Sequence, residues 1–486
     1  MGIVRSQSIR NSLSFYIGML FGAINTVIIY PNVFKDNPEH LGLIQIIIAY
    51  ALVVSVFTTF GMPQTFVKFF PVVKQKGQLY FLALMIPLLG FGLACLCYYL
   101  FKESIFEILN ASQLLKDNFF YIILLIFFIG FYNILSSISR SFLNSATPIF
   151  INEVFLKFYS MSVLLLYWFN FFDFSTFLKV YLLGYIIKFA ILFLIQWWYD
   201  RFALSFSVKH LNLNELLRFG LYVMVGGTSL MIVTRVDMMM IGSLLDLQQV
   251  AFYTVAFFIG NAIQVPGRSV VSISAPLLAK AWENQNFNEI QLLYSKSSIN
   301  QLIIGGVFFL CVWLNVDQIF LLLPEKFQGG KWVVFYIGIS QLFNIASGVN
   351  GSIIVNSKYY KYDLYTNVLL LLITIVANYI LIPIYGIDGA AMATALSVFL
   401  FNASRLTLIK VKMGMHPFSW NTVKTILLLL VMFIAMIYLP DTSYIFLDIV
   451  WQSMLVLILY VPAVSYLNLS EDITRIINEV QSRLFK

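Results

Sequence analysis

Charge is what this chain has least of. Asp, Glu, Lys and Arg make up 11% of its 486 residues, against about 25% in an average soluble domain. So little charge cannot cover the surface of a water-soluble fold of this size. Cysteine is nearly absent as well. Cys95, Cys97 and Cys311 are the three present, and all fall inside apolar runs with no histidine at metal-ligand spacing. That excludes a disulfide scaffold and a zinc ribbon, and leaves the thiols as small packing groups. Histidine is equally sparse, with His40, His210 and His416 scattered through connecting segments. Long polar insertions are missing: the longest connections are about 15–20 residues, so no soluble domain is inserted. There is no phosphate-cradling glycine loop, metal motif or nucleophile elbow. No cofactor and no metal are therefore expected, and the chain is not expected to be an enzyme. No cleavable leader is expected either, because the first apolar run is long and no small-residue cleavage site follows it.

What is present is hydrocarbon. Hydrophobic residues make up 60% of the chain. They fall in about fourteen runs of near twenty residues, the length that crosses a hydrocarbon core of about 30 Å. Lipid offers backbone groups no partner, so a spanning segment must be a helix or part of a closed barrel. Continuous runs, rather than alternating ones, exclude the barrel. The expected fold class is an all-α integral membrane protein of about fourteen transmembrane helices. The runs begin near Leu13, Leu41, Leu79, Phe119, Ile149, Phe177, Leu216, Val250, Ile299, Trp332, Tyr362, Ile387, Thr422 and Tyr444.

An even number of spans puts both termini on one side. With that side cytoplasmic, about 20 Lys and Arg fall on inner segments and about 5 on outer ones, a clear positive-inside bias. The outer ones are Lys35, Lys102, Lys116, Lys326 and Lys331. The formal charge of +8 is then topological, with some affinity for anionic headgroups. It is no sign of nucleic acid, since no basic-aromatic groove accompanies it.

The chain also looks doubled. The run Leu41–Tyr50 and the run Val250–Ile259 lie about 209 residues, or six spans, apart. A proline-bearing inner loop with a lysine follows each one, near Pro71–Lys74 and Pro276–Lys280. An even-numbered repeat gives halves of the same orientation. The expected division is an N-lobe over 1–205, a C-lobe over 206–412, and spans 13 and 14 with a tail over 413–486. In the tail, Ile473, Ile476, Ile477, Val480 and Leu484 form an apolar stripe after a cap-like Ser470, as in a helix lying on the cytoplasmic face.

A charge at the bilayer centre costs about 2.5–3.5 kcal/mol on the lenient insertion scale. Intramembrane cations are thus expected to face a cavity. Arg10, Arg140, Lys188, Arg235 and Arg268 are the candidates. Thr254, Asn261 and Arg268 recur at seven-residue spacing on nearly one helix face, with Gln264 beside them. Asn25 in the first span, Asn344 in the tenth and Asn367 in the eleventh complete the expected polar lining. Ordinary interhelical glue is the competing reading for Ser, Thr and Asn. Glu153 and Lys157 stand four apart in the favourable order for an internal ion pair. Arg235 and Asp237 are two apart and point away from each other, so each needs its own partner. Asp237 is the candidate for ion coupling. Several basic groups with few acids suit an anionic cargo, and arginine presents forked donors to phosphate.

Between spans 11 and 12 the segment Pro383-Ile384-Tyr385-Gly386-Ile387-Asp388-Gly389-Ala390-Ala391-Met392-Ala393-Thr394 forms a tight outer turn. Leu217-Arg218-Phe219-Gly220 opens span seven, Arg235-Val236-Asp237 lies near its end, and Val250-Ala251-Phe252-Tyr253-Thr254-Val255-Ala256 falls in span eight. With these segments the chain resembles the polysaccharide transporter family of the multidrug/oligosaccharidyl-lipid/polysaccharide superfamily. The resemblance covers essentially the whole chain. It implies two six-helix lobes of MATE-like fold around a central cavity open to one side at a time, plus two extra helices. It implies a lipid-linked oligosaccharide on polyprenyl pyrophosphate, flipped to the outer leaflet of a bacterial inner membrane for O-antigen or capsule synthesis. Membrane lipids, a polysaccharide polymerase and glycosyltransferases are the partners it suggests.

Three rivals remain. The drug-antiporter branch of the superfamily uses membrane-embedded acids, and here only Asp237 supports it. A lipid II flippase is mechanistically close. A membrane-embedded glycan polymerase or ligase needs a substantial outer loop that this chain does not have.

Overall fold

The computed structural model describes residues 2–199, 205–206, 211–439 and 444–484. Arg201, Lys209, His210 and Lys486 lie outside them, as do the side chains of Arg268, Ile476, Val480 and Leu484. Among the described residues every regular element is a helix. The protein is an all-α, multi-pass membrane protein.

Among the described residues nine helices are long and apolar enough to cross a membrane, or eleven if each of two bent pairs is one span. The bent pairs are Leu213–Gly226 with Met231–Leu244, and Lys331–Ala346 with Asn350–Asn356. One of the nine, Lys361–Met413, is 53 residues long and covers the starts expected for spans 11 and 12. Gly386 breaks it with φ 60° and ψ −137°. A Cβ on Gly389 would lie 2.1 Å from the Leu381 carbonyl oxygen, so the second limb folds back hard against the first. Trp420–Met436, at the thirteenth run, has 17 residues. At the eighth run the helix is divided: Leu247–Asn261 and Val265–Glu283 flank a 3-10 turn over Ala262–Gln264.

The chain separates into two compact units, Met1–Thr254 and Val255–Lys486. The helix Leu213–Leu244, which the sequence places in a C-lobe, packs in the first unit against Pro38–Thr59.

In the first unit Pro38–Thr59 is the central helix. Buried residues make up 72% of its most apolar stretch, so it is wrapped by protein on nearly all sides. Its apolar residues run around the whole circumference, as a helix without a lipid face requires. Gly42 makes one close approach possible, since a Cβ there would sit 1.7 Å from the Leu247 carbonyl oxygen. Helices in lipid gain little from apolar burial alone and rely on such close packing. Tyr80, Leu79, Tyr132, Leu135, Ile151 and Leu192 fill a core near one end of the unit. Asp173 starts the helix Phe174–Trp198 by accepting a bond from the Thr176 amide at 3.3 Å. That satisfies one of the orphan donors every helix start carries.

The second unit is built around Phe287–Leu314, which packs on Lys331–Ala346 and on the last two spans. Asn286 caps it through the Glu289 amide at 3.2 Å. Met432, Met436, Val456 and Tyr460 close a core with Ile303 and Leu310. Only 22% of the most apolar stretch of Ile445–Tyr466 is buried, so most of that helix faces lipid. The tail is helical over Glu471–Leu484. Asp472 ties its start to Lys296 at 3.4 Å and to Asn300 at 3.2 Å.

Candidate functional site

In the first unit two helices depart from α geometry side by side. Ile24–Ile29 in the first span and Ile151–Phe155 in the fifth are π-helical turns. Such turns insert a residue, widen the helix locally and recur at functional sites. Here they flank a cluster that joins cations, an acid and amides inside this unit. The Asn25 amide donates to the Lys157 carbonyl oxygen at 3.0 Å. Its own carbonyl oxygen is buried with no hydrogen-bond partner. Lys157 Nζ donates to Glu153 Oε2 at 2.8 Å. Asn152 Nδ2 donates to Glu153 Oε1 at 2.9 Å, and Asn152 Oδ1 accepts from Lys188 Nζ at 3.0 Å. One chain of bonds thus links Asn25, Lys157, Glu153, Asn152 and Lys188.

Lys188 is 4% exposed. It lies in the helix Phe174–Trp198, about 21 Å of helical rise from one end and 15 Å from the other. Its ammonium sits 4.5 Å from the Tyr132 ring centroid and 4.8 Å from that of Tyr185. Tyr132 is held in place by its hydroxyl, which donates to the Pro148 carbonyl at 2.6 Å. The ring faces attract the cation through their quadrupoles. The hydrogen-bond acceptor of Lys188 is an amide, while Glu153 is already committed to Lys157. The cluster thus holds two lysine amines and one carboxylate, and Glu153 forms its ion pair with Lys157. Arg235 is partly buried and lies within electrostatic reach of the Tyr185 hydroxyl. Tyr185 is therefore in contact with Lys188 and lies near Arg235, two of the cations selected from the sequence.

The remaining candidates are placed differently. Arg10 is exposed at the start of the first span, and Arg140 is exposed in the last turn of Phe120–Ser141. Asp237 is buried and accepts a bond from the Tyr253 hydroxyl at 2.7 Å. Thr254 returns its hydroxyl to its own helix at Val250, 2.7 Å away. Asn261 and Gln264 are partly buried, and Gln264 closes the 3-10 turn. The Arg268 side chain lies outside the described residues.

A second polar cluster occupies the second unit. Arg405 pairs with Asp363 and donates to Asn367 Oδ1 at 3.1 Å. Its guanidinium lies 4.0 Å from the Phe401 ring centroid. Asn402 donates to Asn344 at 3.1 Å and accepts from Asn350 at 2.9 Å. These bonds join the two limbs of Lys361–Met413 to the bent pair beside them. Asn367 is thus bonded to Arg405, and Asn344 to Asn402 one helical turn before it, while Arg405 Nε is buried without a hydrogen-bond partner. Arg405, Asn152 and Tyr132 are not among the residues that sequence spacing singled out. The polar pair Asn152-Glu153 inside an apolar run was the available signal for Asn152. Among the described residues no group of three His, Cys, Asp or Glu stands together to hold a metal.

A family model described as "polysaccharide biosynthesis protein" matches residues 6–282, more than half of the chain. The chain belongs to that family. A second model, MatE, matches residues 223–380 of this family member. No curated protein matches it by sequence. Among solved structures it is similar to the lipid II flippase MurJ in an inward closed conformation. The TM-score is 0.72 at 16% identity, covering 95% of this chain and 99% of that one. It is also similar to an inward-facing multidrug resistance MATE transporter, with TM-score 0.63, 13% identity, and coverage of 84% and 98%. A transporter of the same superfamily from Pyrococcus furiosus follows at TM-score 0.55, 14% identity, and coverage of 84% and 95%. At these identities the likeness concerns the fold, which is the MATE-like fold of this superfamily of transporters and flippases.

Proposed function

We propose that this family member is a flippase carrying a polyprenyl-pyrophosphate-linked oligosaccharide from the cytoplasmic to the outer leaflet of a bacterial inner membrane, for O-antigen or capsule synthesis. The observation that carries the reading is Lys188, a buried cation near mid-membrane, boxed by two tyrosines and held by an amide rather than a carboxylate. Burying a charge without a paired counter-charge costs several kcal/mol. A protein keeps such a group where a ligand supplies the missing charge in some state of its cycle. A pyrophosphate does so, and membrane family members of polysaccharide biosynthesis have such cargo to move.

In this reading both termini are cytoplasmic. Arg10, Arg140 and Arg268 collect the pyrophosphate at the inner side, Lys188 meets it at mid-depth, and Arg235 receives it further out. The division into lobes over 1–205 and 206–412 with accessory helices beyond, alternating access between them, and a polymerase and glycosyltransferases as partners belong to the same proposal. A ladder of moderate sites lets the anion leave each one, whereas a single tight site would trap it. Asp237 is the residue that could couple an ion to the cycle. The polyprenyl tail stays in lipid.

A second cargo has a specific observation behind it. The likeness to a lipid II flippase extends over 95% of the chain, and lipid II carries the same kind of anionic lipid-linked head. Flipping assays in proteoliposomes with both precursors decide between them. Transport of the oligosaccharide precursor, reduced in Lys188→Met, supports the first reading. Transport of lipid II alone replaces it with the second.

A further inference from the structure

At the other end of the first unit from Arg10, where the first span gives way to the second and the fifth to the sixth, lies a pocket of about 340 Å³. This is within the range of about 300–1,000 Å³ typical of small-molecule sites. Unlike most such sites it is lined mainly by polar groups. Asn32, Asn37 and Asn170 line it with His40, and Trp168 closes one side. Lys35 and Asp36 add one charge of each sign, so the lining has no net charge. The His40 ring stacks on Phe174 at 3.6 Å between centroids, and its Nδ1 is buried without a hydrogen-bond partner. Trp168 is 45% exposed and its side chain is among those lining the pocket.

We infer that this pocket binds a neutral sugar residue of the glycan at the outer face. The class follows from the lining. Each asparagine amide carries both a donor and an acceptor, as neighbouring sugar hydroxyls require. An indole offers an apolar face beside a polar tip, and the C–H face of a pyranose packs on such a ring. A pyrophosphate needs a cationic excess that these residues do not provide. The choice of a glycan as the source of the sugar rests on the flippase reading. The pocket would hold the head group after delivery, apart from the cations that move the anion.

The test uses the full chain in phosphatidylcholine nanodiscs, with no glycoside detergent present. The probes are free glucose, galactose, rhamnose and N-acetylglucosamine, read by saturation-transfer difference NMR. Glycerophosphoglycerol serves as the lipid-headgroup probe. Transfer to at least one sugar is expected. It should fall about threefold to tenfold in Trp168→Ala and recover in part in Trp168→Phe. Absence of transfer to all four sugars, equal transfer in Trp168→Ala, or transfer to the headgroup probe alone overturns the inference. Lys188→Met separates the two readings. If it loses flipping while sugar binding persists, both stand. If flipping survives Lys188→Met, the cation-based transport reading fails whatever the sugars do. If the sugars fail while flipping depends on Lys188, only the pocket is lost.

Discussion

Lys188→Met should lower transport far more than it lowers stability. Methionine keeps the length and apolar stem of lysine and removes the charge, so little volume changes beside Tyr132 and Tyr185. Three favourable contacts go: two cation–π contacts of about 0.5–2 kcal/mol each, and a charged hydrogen bond to Asn152 of about 1.5–3 kcal/mol. Against them stands the release of a buried ammonium that has no carboxylate of its own, worth several kcal/mol. Asn152 Oδ1 loses a donor, which costs about 1–3 kcal/mol if nothing replaces it. The gain offsets most of these losses, and the expected net loss of stability is no more than a few kcal/mol. Transport is different. A charged contact of about 1.5–3 kcal/mol made to the moving pyrophosphate corresponds to roughly a tenfold to hundredfold loss in rate below saturation. The assays are thermal unfolding in nanodiscs and flipping of a fluorescent lipid-linked oligosaccharide in proteoliposomes. Unfolding well below wild type with normal flipping would show that Lys188 holds the unit together and does not serve cargo.

Three further outcomes follow from the same geometry. Asp363→Ala should destabilise the second unit by about 3 kcal/mol, because Arg405 then stays buried without its carboxylate, and Asp363→Leu with Arg405→Met should recover most of the loss; chemical unfolding in mixed micelles measures both, and additive losses would refute the coupling. Gly42→Ala should cost about 1–3 kcal/mol or more through its clash with the Leu247 carbonyl, seen as a lower thermal midpoint, whereas an unchanged midpoint would mean the helices separate freely there. Arg235→Glu should stall the pyrophosphate on the inner side while Arg235→Lys keeps some transport; crosslinking of a precursor from positions one helical turn from Arg268 and from Arg235 measures this, and equal capture at both depths in Arg235→Glu argues against a ladder.

The sequence by itself determined the class of protein, the helical nature of its apolar runs and the tight turn at Gly386. Hydrocarbon leaves a spanning backbone no choice but the helix, so apolar length translates directly into structure. The Gly386 turn was legible because only glycine takes positive φ at no cost. Lys188, Asn25 and the Glu153–Lys157 pair were legible because polar groups inside such runs are costly and rare, and because an i,i+4 pair is local. Tertiary structure decided what was not local. Asn152 reaches Lys188 across 36 residues and Arg405 reaches Asp363 across 42, distances that no helical period reports. The polar stripes carried two meanings that spacing could not separate. Asn344 and Asn367 became part of a bonded network that fastens helices, while Asn25 and Lys188 came together beside two π turns. Which helix faces meet is set by close packing of small residues and by a few hydrogen bonds in a medium that rewards nothing else. Those contacts exist only once the chain is folded.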